Sequence, residues 1–195
     1  KYNRCKVLGY KLLTIFESDD IVKVKSLIRS ACLKTKRVYA RSCTVIQLKP
    51  NQARDFHNKH HLSGTVGAQY HYGLELDSEL VMVISFCKSR FSKTHEYECA
   101  RMTCHSDIKV VGGASRLFKH FITTINPESI VTYADLRFGT GSVYTHCNMI
   151  ELKETPPNYW YIIGGQLQSR VAWQKHKLSS KLKTFDPTLS EWENM

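Results

Sequence analysis

The chain has 195 residues, 42% of them hydrophobic and 23% charged, enough to bury a substantial core in one domain or in a domain with an appendage. Its 28 Lys and Arg against 17 Asp and Glu leave a formal charge of +11, which favours polyanionic partners such as DNA or RNA and binding that weakens steeply as salt rises. No apolar run approaches the ~20 residues that a membrane-spanning helix requires, and the seven cysteines contain no Cys-x-x-Cys pair, which argues against a zinc ribbon or redox motif and for reduced thiols in a cytoplasmic protein.

In chain order, Lys11–Phe16 is apolar and reads as a strand, and Ser18-Asp19-Asp20 caps a helix over Ile21–Ile28. Ile21, Val24, Leu27 and Ile28 share one helical face, which leaves Lys23, Lys25 and Arg29 outward. Glu17, Asp19 and Asp20 read as acids at a strand end and a helix N-terminus rather than as a metal site. Ser42–Leu48 is a predicted strand, and Lys49-Pro50-Asn51-Gln52 opens a helix through His57. Gln69–Leu74 and Leu80–Phe86 form an expected antiparallel pair around a turn at Glu75–Glu79. His95–Met102 alternates as a strand, which places Glu98 and Arg101, three apart, on opposite faces. A glycine-capped helix to about Ile125, a strand at Ser129–Ala134, a helix at Gly141–Cys147 and a last strand at Tyr159–Ile163 complete a mixed α/β pattern. After Gly164-Gly165 the chain becomes a basic tail.

The chemistry concentrates between Lys109 and Tyr144. Lys109-Val-Val-Gly112-Gly113-Ala114-Ser115 is a short apolar run, a glycine turn and a helix start with Leu117, Phe118, Phe121 and Ile122 on one face. Amides of a first helical turn have no intrahelical partner, so Gly112, Gly113, Ala114 and Ser115, with Lys109 beside them, form a candidate pyrophosphate cradle. Ser115, Asp135 and Tyr144 are expected to converge at the ends of neighbouring strands. The plainer alternative has Ser115 capping the helix, Asp135 satisfying backbone donors of the next loop and Tyr144 packing. His57-Asn-Lys-His60-His61 has residue types of an HNH metal site without its hairpin, and reads as a helix end. Tyr159-Trp160-Tyr161 suits either base stacking or a strand core. In the tail, Arg170, Lys175, Lys177, Lys181 and Lys183 surround the apolar anchor Trp173 and are the candidate phosphate contacts.

Lys109-x-x-Gly112-x-Ala114 resembles the acyl-CoA pyrophosphate motif of the GNAT acyltransferase fold, with lysine in the place of Arg or Gln. Tyr144 sits where that family often has a general-acid tyrosine, and Cys147-Asn148-Met149 stands in place of its Gly-Phe pair. Gly112-Gly-Ala-Ser-Arg-Leu117, Tyr133-Ala-Asp135 and Asn158-Tyr-Trp-Tyr161 resemble a phage branch of the fold that includes Mom-type DNA-modification proteins. They also resemble the C-terminal part of phage homing endonucleases with a Vsr-like nuclease domain. Gly9–Glu17 and the basic helix after it resemble the end of that nuclease domain, Tyr39-Ala-Arg41-Ser-Cys43 its joint to the next part, and Arg170-x-x-Trp173-x-Lys175 a later basic block.

The resemblance implies an α/β fold with a strand-helix remnant of the nuclease domain at 1–38, a GNAT-like domain at 39–165 and a basic tail at 166–195. It implies a DNA-binding or targeting part of a homing-endonuclease-like protein in the host bacterial cytoplasm, with the nuclease residues upstream or on a partner chain. The rival expectation is an acyl-CoA-dependent or Mom-like transferase, in which Gly112–Ser115 binds pyrophosphate, Asp135 orients or deprotonates a nucleophile and Tyr144 protonates the leaving thiolate. A third is an interaction module that has lost both activities. No metal site is expected.

Overall fold

A computed structural model describes residues 2–10 and 12–195. The chain opens with a short helix α1 (Tyr2–Val7), and residues 12–20 carry no regular strand, while Lys11 lies outside the described residues. The expected strand at 12–16 is therefore replaced by an irregular strap. Thr14 N donates to the Arg137 carbonyl (2.9 Å), Arg137 Nε donates back to the Thr14 carbonyl (3.3 Å), and the Arg137 guanidinium pairs with Asp19 and lies over the Phe16 ring. Helix α2 (Ile21–Ala31) follows, capped by Asp20, whose carboxylate accepts from Val22 N (2.9 Å) and Lys23 N (3.3 Å).

Strand β1 (Lys36–Tyr39) leads through a 3-10 turn (Ala40–Ser42) into β2 (Thr44–Gln47). Helix α3 (Pro50–His60) starts with Pro50 at its first position, and Gln52 Oε1 accepts from Lys49 N (2.9 Å). Strands β3 (Tyr70–Leu76) and β4 (Glu79–Lys88) form a hairpin whose two turn residues, Asp77 and Ser78, both take positive φ. Then come β5 (Tyr97–Cys104), β6 (Ile108–Val111), α4 (Gly113–Ile125), β7 (Ile130–Thr132) and α5 (Ser142–Thr145).

The main sheet has the order β2-β3-β4-β5-β7, antiparallel up to β5 and parallel between β5 and β7. That parallel pair needs a crossover, which β6 and α4 supply. A second, two-stranded parallel sheet joins β1 to β6, with Arg37 opposite Lys109 and Tyr39 opposite Val111. The first 38 residues are thus tied to the main fold through the β1–β6 pairing, the Ser26 hydroxyl on the Ser106 carbonyl and the Arg29–Asp107 ion pair (3.1 Å).

Alternation along β4 divides the core. Ile84 and Phe86 face α4, where the Phe86 and Phe121 rings stack at 3.8 Å with Leu117 and Phe118 beside them. Val83 faces α3, against Ala53, Phe56 and Leu48. The molecule is a mixed α/β protein with helices on both faces of a mixed sheet, and no described helix is long and apolar enough to cross a membrane.

Packing divides the chain after Glu151. The second unit, Leu152–Met195, begins with an irregular run and contains β8 (Trp160–Ile163), β9 (Gln166–Ser169), a 3-10 turn (Arg170–Trp173), α6 (Lys175–Leu178) and α7 (Glu191–Asn194). Gly164 and Gly165, expected to end the domain, are the positive-φ turn of the β8–β9 hairpin. Strand β8 consequently pairs with β9 and is not an edge of the main sheet.

Candidate functional site

Strands β5 and β7 pair over three positions, Tyr97 with Ile130 through Cys99 with Thr132, and then part. Just past the parting point β5 carries a bulge: Phe86 of β4 stands opposite Cys99 and Ser85 opposite Arg101, which leaves Ala100 as the extra residue. The extra residue inverts the alternation. Glu98, opposite Cys87, and Arg101, opposite Ser85, therefore share the α3 face of the sheet, whereas an unbroken strand would have placed them on opposite faces.

Tyr144, on α5, is half-buried beside this parting. Its ring packs edge-on to Phe118, with Cys99, Arg101 and Thr132 among its neighbours, and burial pushes its phenol up to about 12. Such a group is a proton donor at neutral pH and not a base. Ser115 reaches the same α5 turn: its hydroxyl donates to the His146 carbonyl (3.0 Å) and lies 3.7 Å from Cys147 Sγ. The helix cap is Gly112, so Ser115 does not cap α4. Asp135 lies exposed beyond β7, where its Oδ1 accepts from Arg137 N (2.9 Å), and its charge still acts on Arg101. Ser115 and Tyr144 are brought together through α5; Asp135 makes no hydrogen bond to either of them or to the glycine turn among the described residues.

The glycine pair does two different jobs. Gly112 adopts φ 75, the left-handed region that glycine tolerates best, and is exposed. Gly113 is buried, and a Cβ there would fall 2.5 Å from Met82 Sδ and 2.9 Å from Val110 Cγ1. Close packing of α4 on the sheet, and not the approach of a ligand, requires glycine at 113. Ala114 is likewise buried in the core. The surface of the turn belongs to Gly112 and Lys109.

That surface continues into a basic face. Val38 and Val110 point inward, so Arg37, Tyr39, Lys109 and Val111 point outward from the β1–β6 pair. An open depression of about 570 Å³ at the start of α4 is lined by Tyr39, Ala40, Arg41, Val111, Gly112 and Arg116. The Arg41 guanidinium lies 5.1 Å from the Tyr39 ring centroid, and an Arg116 guanidinium nitrogen donates to the Ala40 carbonyl. Among the described residues none of Arg37, Arg41, Lys109 and Arg116 has a carboxylate at ion-pair distance. No family model, curated protein or solved structure matches the chain. Arg37, Tyr39 and Arg116 escaped the sequence reading because the β1–β6 pairing brings residues some seventy apart onto one face. The available signal was the run Lys36-Arg37-Val38-Tyr39-Ala40-Arg41, basic and aromatic at alternate positions.

The histidines at the end of α3 go to separate partners. His57, fully buried, sits between Thr103 Oγ1 (2.7 Å from Nδ1) and Ser85 Oγ (2.8 Å from Nε2), and Ser85 Oγ also meets His71 Nδ1 (2.8 Å). His60 contacts Ser106, and His61 lies against Arg101. Burial, the largest cause for each, pushes His57 and His60 down to about 4 and His61 to about 3.

In the second unit several basic candidates are already engaged. Arg170 pairs with Glu191 (3.0 Å), which also accepts from the hydroxyls of Tyr159 and Tyr161 (2.9 Å each). Those bonds, that of Arg170 first, hold the Glu191 carboxyl down at about 2. Lys177 Nζ donates to the Val171 carbonyl and Lys181 Nζ to the Ala172 carbonyl (2.7 Å each), the latter also lying over the Trp173 ring. Lys175 and Lys183 remain exposed. Tyr161 is buried, while Trp160 is exposed on the opposite face of β8.

Proposed function

We propose that the chain is a DNA-associated protein of the phage homing-endonuclease type, and that its GNAT-like first unit is the DNA-binding or targeting part. One observation carries the reading: Arg37 and Lys109 stand opposite each other on an outward face with no carboxylate at ion-pair distance among the described residues, and Tyr39, Arg41 and Arg116 extend that face around the depression. Like charges set directly across a strand pair destabilise it. A phosphate backbone laid along the ribbon converts that repulsion into attraction and releases counterions. The half-exposed Tyr39 ring beside a guanidinium suits an unstacked base. Lys109 and Gly112, which the resemblance assigns to a pyrophosphate, lie on the same face. Lys175 and Lys183 offer a second, smaller set of phosphate contacts.

A second reading, an acyl-CoA-dependent or Mom-like transferase, is favoured by the parting of β5 and β7. The Tyr144 phenol, held protonated by burial, would supply the proton to a leaving thiolate there, with Ser115 on the same α5 turn.

Fluorescence anisotropy with single-stranded and duplex oligonucleotides tests the first reading. We expect affinity to fall steeply between about 50 and about 200 mM salt, and the Arg37→Glu/Lys109→Glu double variant to bind at least about tenfold more weakly with the log–log salt slope reduced by about 2. Lys175→Glu/Lys183→Glu should lose less. Absence of salt-sensitive binding by the unmodified chain defeats the DNA reading, and saturable acetyl-CoA binding in its place establishes the second.

A further inference from the structure

Arg101 is a part-buried cation with no carboxylate at ion-pair distance among the described residues. Its Nε is shielded from solvent and has no hydrogen-bond partner, and its Nη1 comes no nearer to a protein acceptor than 3.5 Å, at His61 Nδ1. The Ala100 bulge turns Arg101 onto the same face as the buried Glu98, yet Glu98 is already taken: both its oxygens bond the Arg90 side chain, and one also accepts from Arg90 N. Asp135 is within electrostatic range but forms no ion pair with it. Arg90, itself paired with Glu98, is a second positive charge near Arg101, and Lys23 is another beside His61, while His57 and His61 are held neutral by burial and Tyr144 stays a phenol.

A partly desolvated guanidinium with a shielded, unpaired Nε and no carboxylate partner costs folding free energy, a cost that a bound anion would offset.

We infer that Arg101 anchors a binding site for a single oxyanion, a phosphate or carboxylate group, on the α3 face of the sheet where β5 and β7 part. The fork of guanidinium donors matches two oxygens of either group, a geometry that a lysine ammonium cannot reproduce. The site is distinct from the basic face at Arg37 and Lys109 and stands whether or not DNA binds there.

The whole chain titrated with inorganic phosphate and, separately, with acetate at matched ionic strength against chloride gives the test, read by thermal melting and by the Arg101 Nε–H resonance. We expect a saturable rise in Tm of a few degrees with one of the two anions, accompanied by a shift of that resonance. A phosphate response assigns the group to a phosphate ester and an acetate response to a carboxylate. Arg101→Lys should weaken the effect about tenfold. Arg101→Met should abolish it while raising the Tm of the anion-free protein, because the uncompensated charge is gone. A Tm response unchanged in Arg101→Met, no response to either anion, or an Arg101→Met protein less stable than the parent overturns the inference, the last by revealing a structural role for the guanidinium.

Discussion

Glycine 113 shows how a single methyl group separates packing from ligand access. With Met82 Sδ and Val110 Cγ1 well inside contact distance of any Cβ, Gly113→Ala must push α4 off the sheet, and we expect it to cost about 1–3 kcal/mol in urea unfolding. Gly112→Ala meets nothing closer than the Ala40 Cβ at 3.9 Å and pays only for its left-handed backbone, about 1 kcal/mol. Equal losses at the two positions contradict this assignment. His57 sets a pH dependence. Its ordinary value of 6.5 falls to about 4 in the fold, so the unfolded chain binds more protons between those limits and stability declines as pH drops through that window. The loss attributable to His57 is at most roughly 3 kcal/mol. Chemical denaturation of the unmodified chain and of His57→Gln at pH 7 and at about pH 5 checks it: the variant should be less stable at the higher pH and lose less on acidification.

At the scale of elements, the α4 face of the sheet is held by aromatic packing and the α3 face by a mixture of aliphatic contacts and hydroxyl–imidazole hydrogen bonds. Phe121 is fully buried, stacked on Phe86 and edge-on to Tyr70 and Tyr97, so Phe121→Ala should cost about 3–5 kcal/mol, visible as a lower urea midpoint. A loss below about 1 kcal/mol would mean that the α4 interface collapses around the cavity. The Ala100 bulge has the opposite character. It contributes little to the core, but it decides which side chains share a face and so creates the Glu98–Arg90 pair and the unpaired Arg101.

For the molecule as a whole, the division after Glu151 gives a directly observable consequence. Residues 150–159 have no regular structure before β8 begins, and Lys153 lies exposed within them. Limited trypsin treatment should cut at Lys153 before Lys88 or Arg101, which lie within strands, and mass spectrometry of the early fragments reads the order. First cleavage inside the main sheet would contradict the assigned boundary. Because the basic residues are spread over both units, the charge of +11 describes the chain and not one tail.

Local pattern alone determined much of this protein. Asp20 as a cap, Pro50 opening α3, the β3–β4 hairpin and the Leu117/Phe118/Phe121 face of α4 are decided by residues within a turn or two of each other, where periodicity and capping chemistry are read directly. The tertiary structure alone decided the rest. The apolar residues 12–16 became a strap on Arg137 instead of a strand, Gly164-Gly165 became a hairpin turn instead of a domain edge, and the bulge at Ala100 reversed the sidedness of Arg101. Each of these depends on which distant segment supplies the partner hydrogen bonds, and such pairing leaves no periodic trace in the chain that makes it.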